Sequence, residues 1–216
     1  MRLAVVQILS EVAELGYHPQ LVDSPSLPTK LTMGDGTQII IRCMRHEDIP
    51  AFIAALRTDA AAGQGYGYDE LSNLDFFMRY YVDGYRNVVA QLAQTGDVVA
   101  YANFGPTPFA RTVDPIIIDS GNITISPQYR HRKWQRDFAK FNTRLADASL
   151  SYIKGYQGDM AVINLPAYFV PIRMNYTANG ILPRAIYFKD HGWVDVLLYF
   201  RHRPNPCFNC DVLAKL

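Results

Sequence analysis

The chain has 216 residues, 49% of them hydrophobic and 19% charged, with a formal net charge of +1 and a pI near 7.7. That length buries one good core and favours one domain over two, in an ordinary globular composition. The near-neutral balance excludes the global basic field that drives sequence-independent nucleic-acid binding, and no apolar run approaches the ~20 residues of a membrane-crossing helix.

Residues 2–15 place Val5, Ile8, Leu9, Val12 and Leu15 on one helical face, with Gly16 as a C-terminal stop. Glu11 and Glu14 follow the short apolar run closely and no small-residue cleavage pattern is present, so no secretory signal is expected and the cytoplasm is the expected location. Pro19, Pro25 and Pro28 mark an extended linker, which makes 1–30 an appended helix and linker before a main domain over 31–204. In that domain, Gly34-Asp35-Gly36 predicts a turn and Gln38–Cys43 a strand. Asp48 and Pro50 then open a helix whose buried face holds Ile49, Phe52, Ile53 and Leu56. A glycine- and tyrosine-rich loop over 60–68 leads to an aromatic helix from about Asp69 to Tyr85. Two apolar strands, Asn87–Ala93 and Val98–Phe104, flank Gln94-Thr95-Gly96-Asp97 as a hairpin.

The segment Gly121–Lys140 carries the clearest chemistry. Ile123 and Ile125 alternate with polar residues as in a half-buried strand, and Pro127 ends it. Trp134, Phe138, Phe141, Leu145, Ala148 and Tyr152 then recur at helical spacing. Between strand and helix lie Arg130, His131, Arg132, Lys133 and Arg136. A helix N-terminus offers unpaired N–H groups and the positive end of its dipole, so this turn predicts an anion site; a solvated basic turn is the plain reading. Further on, Met160–Leu165 predicts a strand, Pro171–Asn179 a short helix, and Arg184–Phe188 with Trp193–Phe200 a final strand pair. Three cysteines are too few for a disulfide framework, and the Cys207-x-x-Cys210 pair with His202 lacks a fourth ligand, so no metal is expected and 205–216 reads as a tail. The fold class is α+β, with a mixed, mostly antiparallel central sheet flanked by helices.

From about Gln38 to Arg201 the chain resembles the GCN5-related N-acetyltransferase superfamily, in the branch that includes ribosomal-protein and phosphinothricin acetyltransferases. Arg130 takes the first position of the family's Arg/Gln-x-x-Gly-x-Gly/Ala signature, with Lys133 and Gln135 where the glycines stand. Tyr176 and Gly180 match a Tyr-x-x-x-Gly-Phe turn, and Phe169 replaces an asparagine. The resemblance implies an acyl-CoA-dependent N-acyltransferase using acetyl-CoA. The pantetheine arm is expected in a gap between two splayed strands, held by backbone groups of Ile123, Thr124 and Ile125. The pyrophosphate is expected on Arg130, His131, Arg132, Lys133, Trp134 and Gln135. It also implies that Tyr176 protonates the departing thiolate. Asp119 has two readings, a general base for the acceptor amine or a bulge residue turned to solvent. Asp69 and Glu70, beside Tyr66 and Tyr68, either meet a cationic acceptor or open the second helix.

The partner is an amine acceptor, small molecule or protein, of unspecified identity, with no membrane. The alternative is a non-catalytic protein that binds nucleic acid through the 130–136 loop, with Trp134 stacked on a base. In a third reading, the amino-terminal helix and linker dock onto a partner or a second subunit, making the protein an assembly factor, with a homodimer as one expected form.

Overall fold

The computed structural model describes residues 27–61, 75, 78, 85–106, 117–119, 123–130, 134–149, 155–163, 175–188 and 190–202. The helix expected over 2–15, nearly all of the aromatic helix, and the Cys207 and Cys210 tail lie outside the described residues, as do Asp69 and Glu70. The strands are β1 (Thr29–Thr32), β2 (Gln38–Cys43), β3 (Arg86–Leu92), β4 (Val98–Pro106), β5 (Ile117–Asp119), β6 (Ile123–Ile125), β7 (Gly155–Ala161), β8 (Thr177–Phe188) and β9 (Gly192–His202). The helices are α1 (Ile49–Ala61), after a 3-10 turn at His46–Asp48, and α2 (Trp134–Ser149). One sheet runs β1-β2-β3-β4-β5-β7-β9-β8, with β6 also on β4; β5 and β7 are parallel and every other pair is antiparallel. This is the mixed, mostly antiparallel sheet expected from the sequence.

The sheet buries both faces. Val88, Ala90, Ala100, Ala102, Phe104 and Ile125 pack with Trp134, Phe138 and Leu145 of α2. On the other face Val89 and Tyr101 pack with Ile49, Phe52, Ile53 and Leu56 of α1. Period-two alternation along β3 and β4 thus sends successive residues to different helices. Asp48 fixes the entry to α1: its carboxylate accepts from the Arg45 backbone N–H at 2.8 Å and from both terminal nitrogens of Arg42 at 2.7 and 3.0 Å.

Four boundaries differ from the sequence expectation, each for a physical reason. β1 begins at Thr29, inside the segment read as linker, because Thr29–Thr32 pairs with Gln38–Ile41 across the Gly36 turn (φ +85°). Tyr85 is not the end of a helix but a bend into β3, where its carbonyl accepts from Asn87 Nδ2 at 2.8 Å. The strand expected at Met160–Leu165 runs instead over Gly155–Ala161. Its glycines lie under aromatic rings of β9: a Cβ on Gly155 would stand 2.5 Å from Phe200 Cζ, and one on Gly158 would fall within the Tyr199 ring. Glycine here admits a ring rather than a turn. Thr177–Asn179, expected at the end of a short helix, opens the long edge strand β8. Arg184 takes φ +50° at a register shift next to Pro183, and its N–H is held by Asp195 Oδ1 at 2.8 Å.

Candidate active site

The parallel ladder between β5 and β7 has three rungs, Ile117 to Gly155, Ile118 to Tyr156 and Asp119 to Gln157. Beyond Asp119 the two strands part. β7 continues to Ala161 on β9, whereas Ile123–Ile125 pairs with Ala100–Ala102 of β4. Among the described residues no pairing joins β6 to β7, so a gap opens between Ile123–Ile125 and Gly158–Ala161. The irregularity that the sequence suggests at 119–122 falls where the strand divides.

The register sets what β6 offers to that gap. The Ser126 N–H bonds the Val99 carbonyl at 2.8 Å, which makes 126 and 124 the residues whose backbone groups point to β4. In an antiparallel ladder the alternate residues point the other way, so Ile123 and Ile125 direct N–H and C=O toward β7. The Ile125 carbonyl is met there by Arg130 Nε at 2.7 Å. The Arg130 guanidinium also pairs with Asp59 of α1 through a terminal nitrogen. Burial raises the Asp59 pKa, opposed by the Arg130 charge and by hydrogen bonds from Arg130 and Thr124.

Asp119 stands on the last parallel rung, half-buried, and its Oδ2 accepts from the Tyr85 hydroxyl at 3.1 Å. On the other side of the gap, the Tyr199 ring lies over Gly158 and its hydroxyl donates to the Asp159 backbone carbonyl at 3.3 Å. The Tyr199 phenol is pushed well above its ordinary pKa, first by desolvation and then by the charges of Asp159 and Asp119. Desolvation raises the Asp159 carboxyl pKa. Tyr176, buried just before β8, meets Tyr199 edge to face at 5.2 Å, and the Arg201 guanidinium lies over the rings of Tyr156 and Tyr176 at 4.8 and 5.3 Å.

The structure thus brings Tyr176 and Tyr199 together beside β7 and sets Asp119, with Tyr85, on the last parallel rung before the strands diverge. It treats the loop residues differently. Trp134, expected to face a ligand, is fully buried, packed on Tyr129 at 4.6 Å and set into the core beneath α2. That position also removes it as a stacking platform for a base. Gln135 is half-buried in the first turn of α2, and His131, Arg132 and Lys133 lie outside the described residues. Arg136 pairs with Asp137 at 3.1 Å. Sequence reasoning missed Tyr85, Tyr199 and Asp59, which carry no motif; only the register, with a tyrosine opposite a glycine, brings Tyr199 forward.

No protein-family profile matches the sequence, and no curated protein does. Solved structures do match the fold. A GCN5-related N-acetyltransferase from Kribbella flavida is 20% identical, with TM-score 0.62, over 76% of this chain and 98% of its own. The ribosomal-protein-alanine N-acetyltransferase from Brucella melitensis is 19% identical, with TM-score 0.57, over 76% and 99%. The chain has the GCN5-related N-acetyltransferase fold. A spermidine N-acetyltransferase variant from Vibrio cholerae also shares this acetyltransferase fold, at 15% identity and TM-score 0.55 over 76% of this chain and 93% of its own. In this acetyltransferase fold the match covers about three quarters of the present chain and nearly all of each neighbour. Among the described residues no helix is long and apolar enough to cross a membrane.

Proposed function

We propose that the protein is an acyl-CoA-dependent N-acyltransferase, acting by direct attack of an amine within a ternary complex. The observation that carries this reading is the gap left where the β5–β7 ladder stops at Asp119 while β6 turns to β4. Its β6 wall presents the N–H groups of Ile123 and Ile125, and its β7 wall is the Gly158–Ala161 edge that pairs with β9 on its other side. An amide-bearing arm needs such a narrow slot edged by strand hydrogen-bonding groups, so these residues fit acetyl-CoA.

Acetyl-CoA would supply the activated acyl thioester. Ile123 and Ile125 would hold its arm, with one N–H directed at the carbonyl oxygen as negative charge develops there. Asp119, held by Tyr85, would take the proton from the acceptor ammonium, directly or through water. Tyr176, with Tyr199 at its edge, would give a proton to the leaving sulfur as the carbon–nitrogen bond forms and the carbon–sulfur bond breaks. The N-terminus of α2 would face the pyrophosphate, with His131, Arg132, Lys133 and Gln135 beside it. Arg130 would contribute its place in the turn, its guanidinium being committed to Ile125 and Asp59.

The acceptor is an amine on a small molecule or a protein, and the expected location is cytoplasmic. Fold neighbours are named for spermidine and for a ribosomal-protein alanine, so a polyamine and an N-terminal alanine peptide are the first acceptors to test. The test is thiol release from acetyl-CoA with each acceptor, together with melting in the presence of CoA. A ligand that binds only the folded chain raises its melting temperature. No shift at millimolar CoA would overturn the reading.

A further inference from the structure

Separating β6 from β7 leaves a backbone carbonyl at Ile125 pointing where a ladder partner would stand, and a buried carbonyl needs a donor. Arg130 Nε provides it at 2.7 Å, five residues along the chain. The same guanidinium is anchored by Asp59 on α1, a largely buried carboxylate. Asp59 therefore holds, through Arg130, the carbonyl of β6 that faces the gap. Building on the acyl-CoA reading, we propose that Arg130 and Asp59 are a positioning pair that holds β6 off β7 and keeps the donor slot open. Neither residue touches the acyl donor in this role. Arg130, at a position that a phosphate loop would lend to the anion, acts through the strand instead.

Asp59 lies in the last turn of α1, shortly before the 62–74 segment, so the helix on the face opposite α2 is tied to the strand that holds the arm.

Direct phosphate binding and a positioning role predict opposite signs for one substitution. Asp59→Ala releases the Arg130 guanidinium. If Arg130 served the phosphates itself, losing its competing carboxylate would tighten acetyl-CoA binding. If the pair holds the slot, Kd and KM for acetyl-CoA rise about tenfold while kcat at saturation stays within about twofold, because the arm is displaced and the proton-transfer groups are not. Arg130→Ala behaves in the same way. Should Asp59→Ala not fold, Asp59→Asn keeps the shape without the anchoring charge, and its Kd rises about threefold. Titration of the full chain with acetyl-CoA reads these values. Wild type that binds no acetyl-CoA would overturn the acyltransferase reading and this one with it. Wild type that binds, with unchanged or tighter binding by the Asp59 variants, would overturn the positioning pair alone.

Discussion

Tyr85 and Asp119 meet at the point where the central strands part: the Tyr85 hydroxyl donates to Asp119 Oδ2 over 3.1 Å. The contact joins a residue at the entry of β3 to the last rung of the β5–β7 ladder, and it orients the carboxylate on the last paired rung before the gap. An oriented carboxylate at the mouth of a slot suits a general base better than a solvent-facing bulge residue would.

Asp119→Asn is therefore expected to lower kcat by about two to four orders of magnitude, the usual worth of a positioned acid or base. Acetyl-CoA affinity should stay within about twofold. Tyr85→Phe removes only the orienting bond to a charged acceptor, worth about 1.5–3 kcal/mol, and should lower kcat by a smaller factor. Steady-state kinetics with acetyl-CoA titrations separate the two effects, and an unchanged kcat in Asp119→Asn would remove Asp119 from the chemistry.

Tyr176→Phe should reduce kcat while leaving acetyl-CoA affinity nearly unchanged, since the ring that packs on Tyr199 and under Arg201 is retained and only the hydroxyl is lost. Tyr199→Phe distinguishes donor from neighbour. A loss in Tyr199→Phe equal to that in Tyr176→Phe would show that the two phenols work as one relay. A loss confined to Tyr199→Phe would transfer the acid role to it.

The phenols of Tyr199 and Tyr101 have pKa values raised by burial in the first place, aided at Tyr101 by the Asp48 charge and at Tyr199 by Asp159 and Asp119. A folded-state pKa above the unfolded value of about 10 means that the fold favours the protonated phenol. That stabilisation is present below pH about 10 and is lost as pH rises toward the folded-state values. Urea unfolding from pH 8 to 11 should show stability falling on the alkaline side, less steeply in Tyr199→Phe and Tyr101→Phe. Curves parallel to wild type would contradict this.

Gly158→Ala places a methyl group inside the Tyr199 ring, and Gly155→Ala places one against the Phe200 ring and 3.2 Å from the Arg201 carbonyl. Each should destabilise by about 1–3 kcal/mol, the cost of overpacking. Adding Tyr199→Ala to Gly158→Ala should recover part of the loss, because the clash is with that side chain and not with backbone. Thermal melts of the two singles and the double check it.

The sequence made the sheet legible where its residues alternate between two packed faces, as at Gln38–Cys43, Val98–Phe104 and Ile123–Ile125. It also made α2 legible, because Trp134, Phe138 and Leu145 repeat at helical spacing. β7 was hidden because Gly155 and Gly158 read as turn residues until the β9 rings above them are known. The first half of β8 was hidden because residues 177–185 are all exposed on an edge and show no alternation. For the proposed site, Asp119 is a candidate from the sequence and Tyr176 one that the family resemblance implies. Tyr199, Asp59 and the internal commitment of Arg130 depend on contacts that only the register and the packing of α1 create.

The account rests on an acyl-CoA arm entering between β6 and β7, and amide hydrogen exchange of the full chain with and without CoA tests it most directly. CoA is predicted to slow exchange at the Ile123 and Ile125 amides, which face the gap, and to leave Thr124, already bonded to β4, unchanged. Equal exchange at Ile123 and Ile125 in saturating CoA would contradict it.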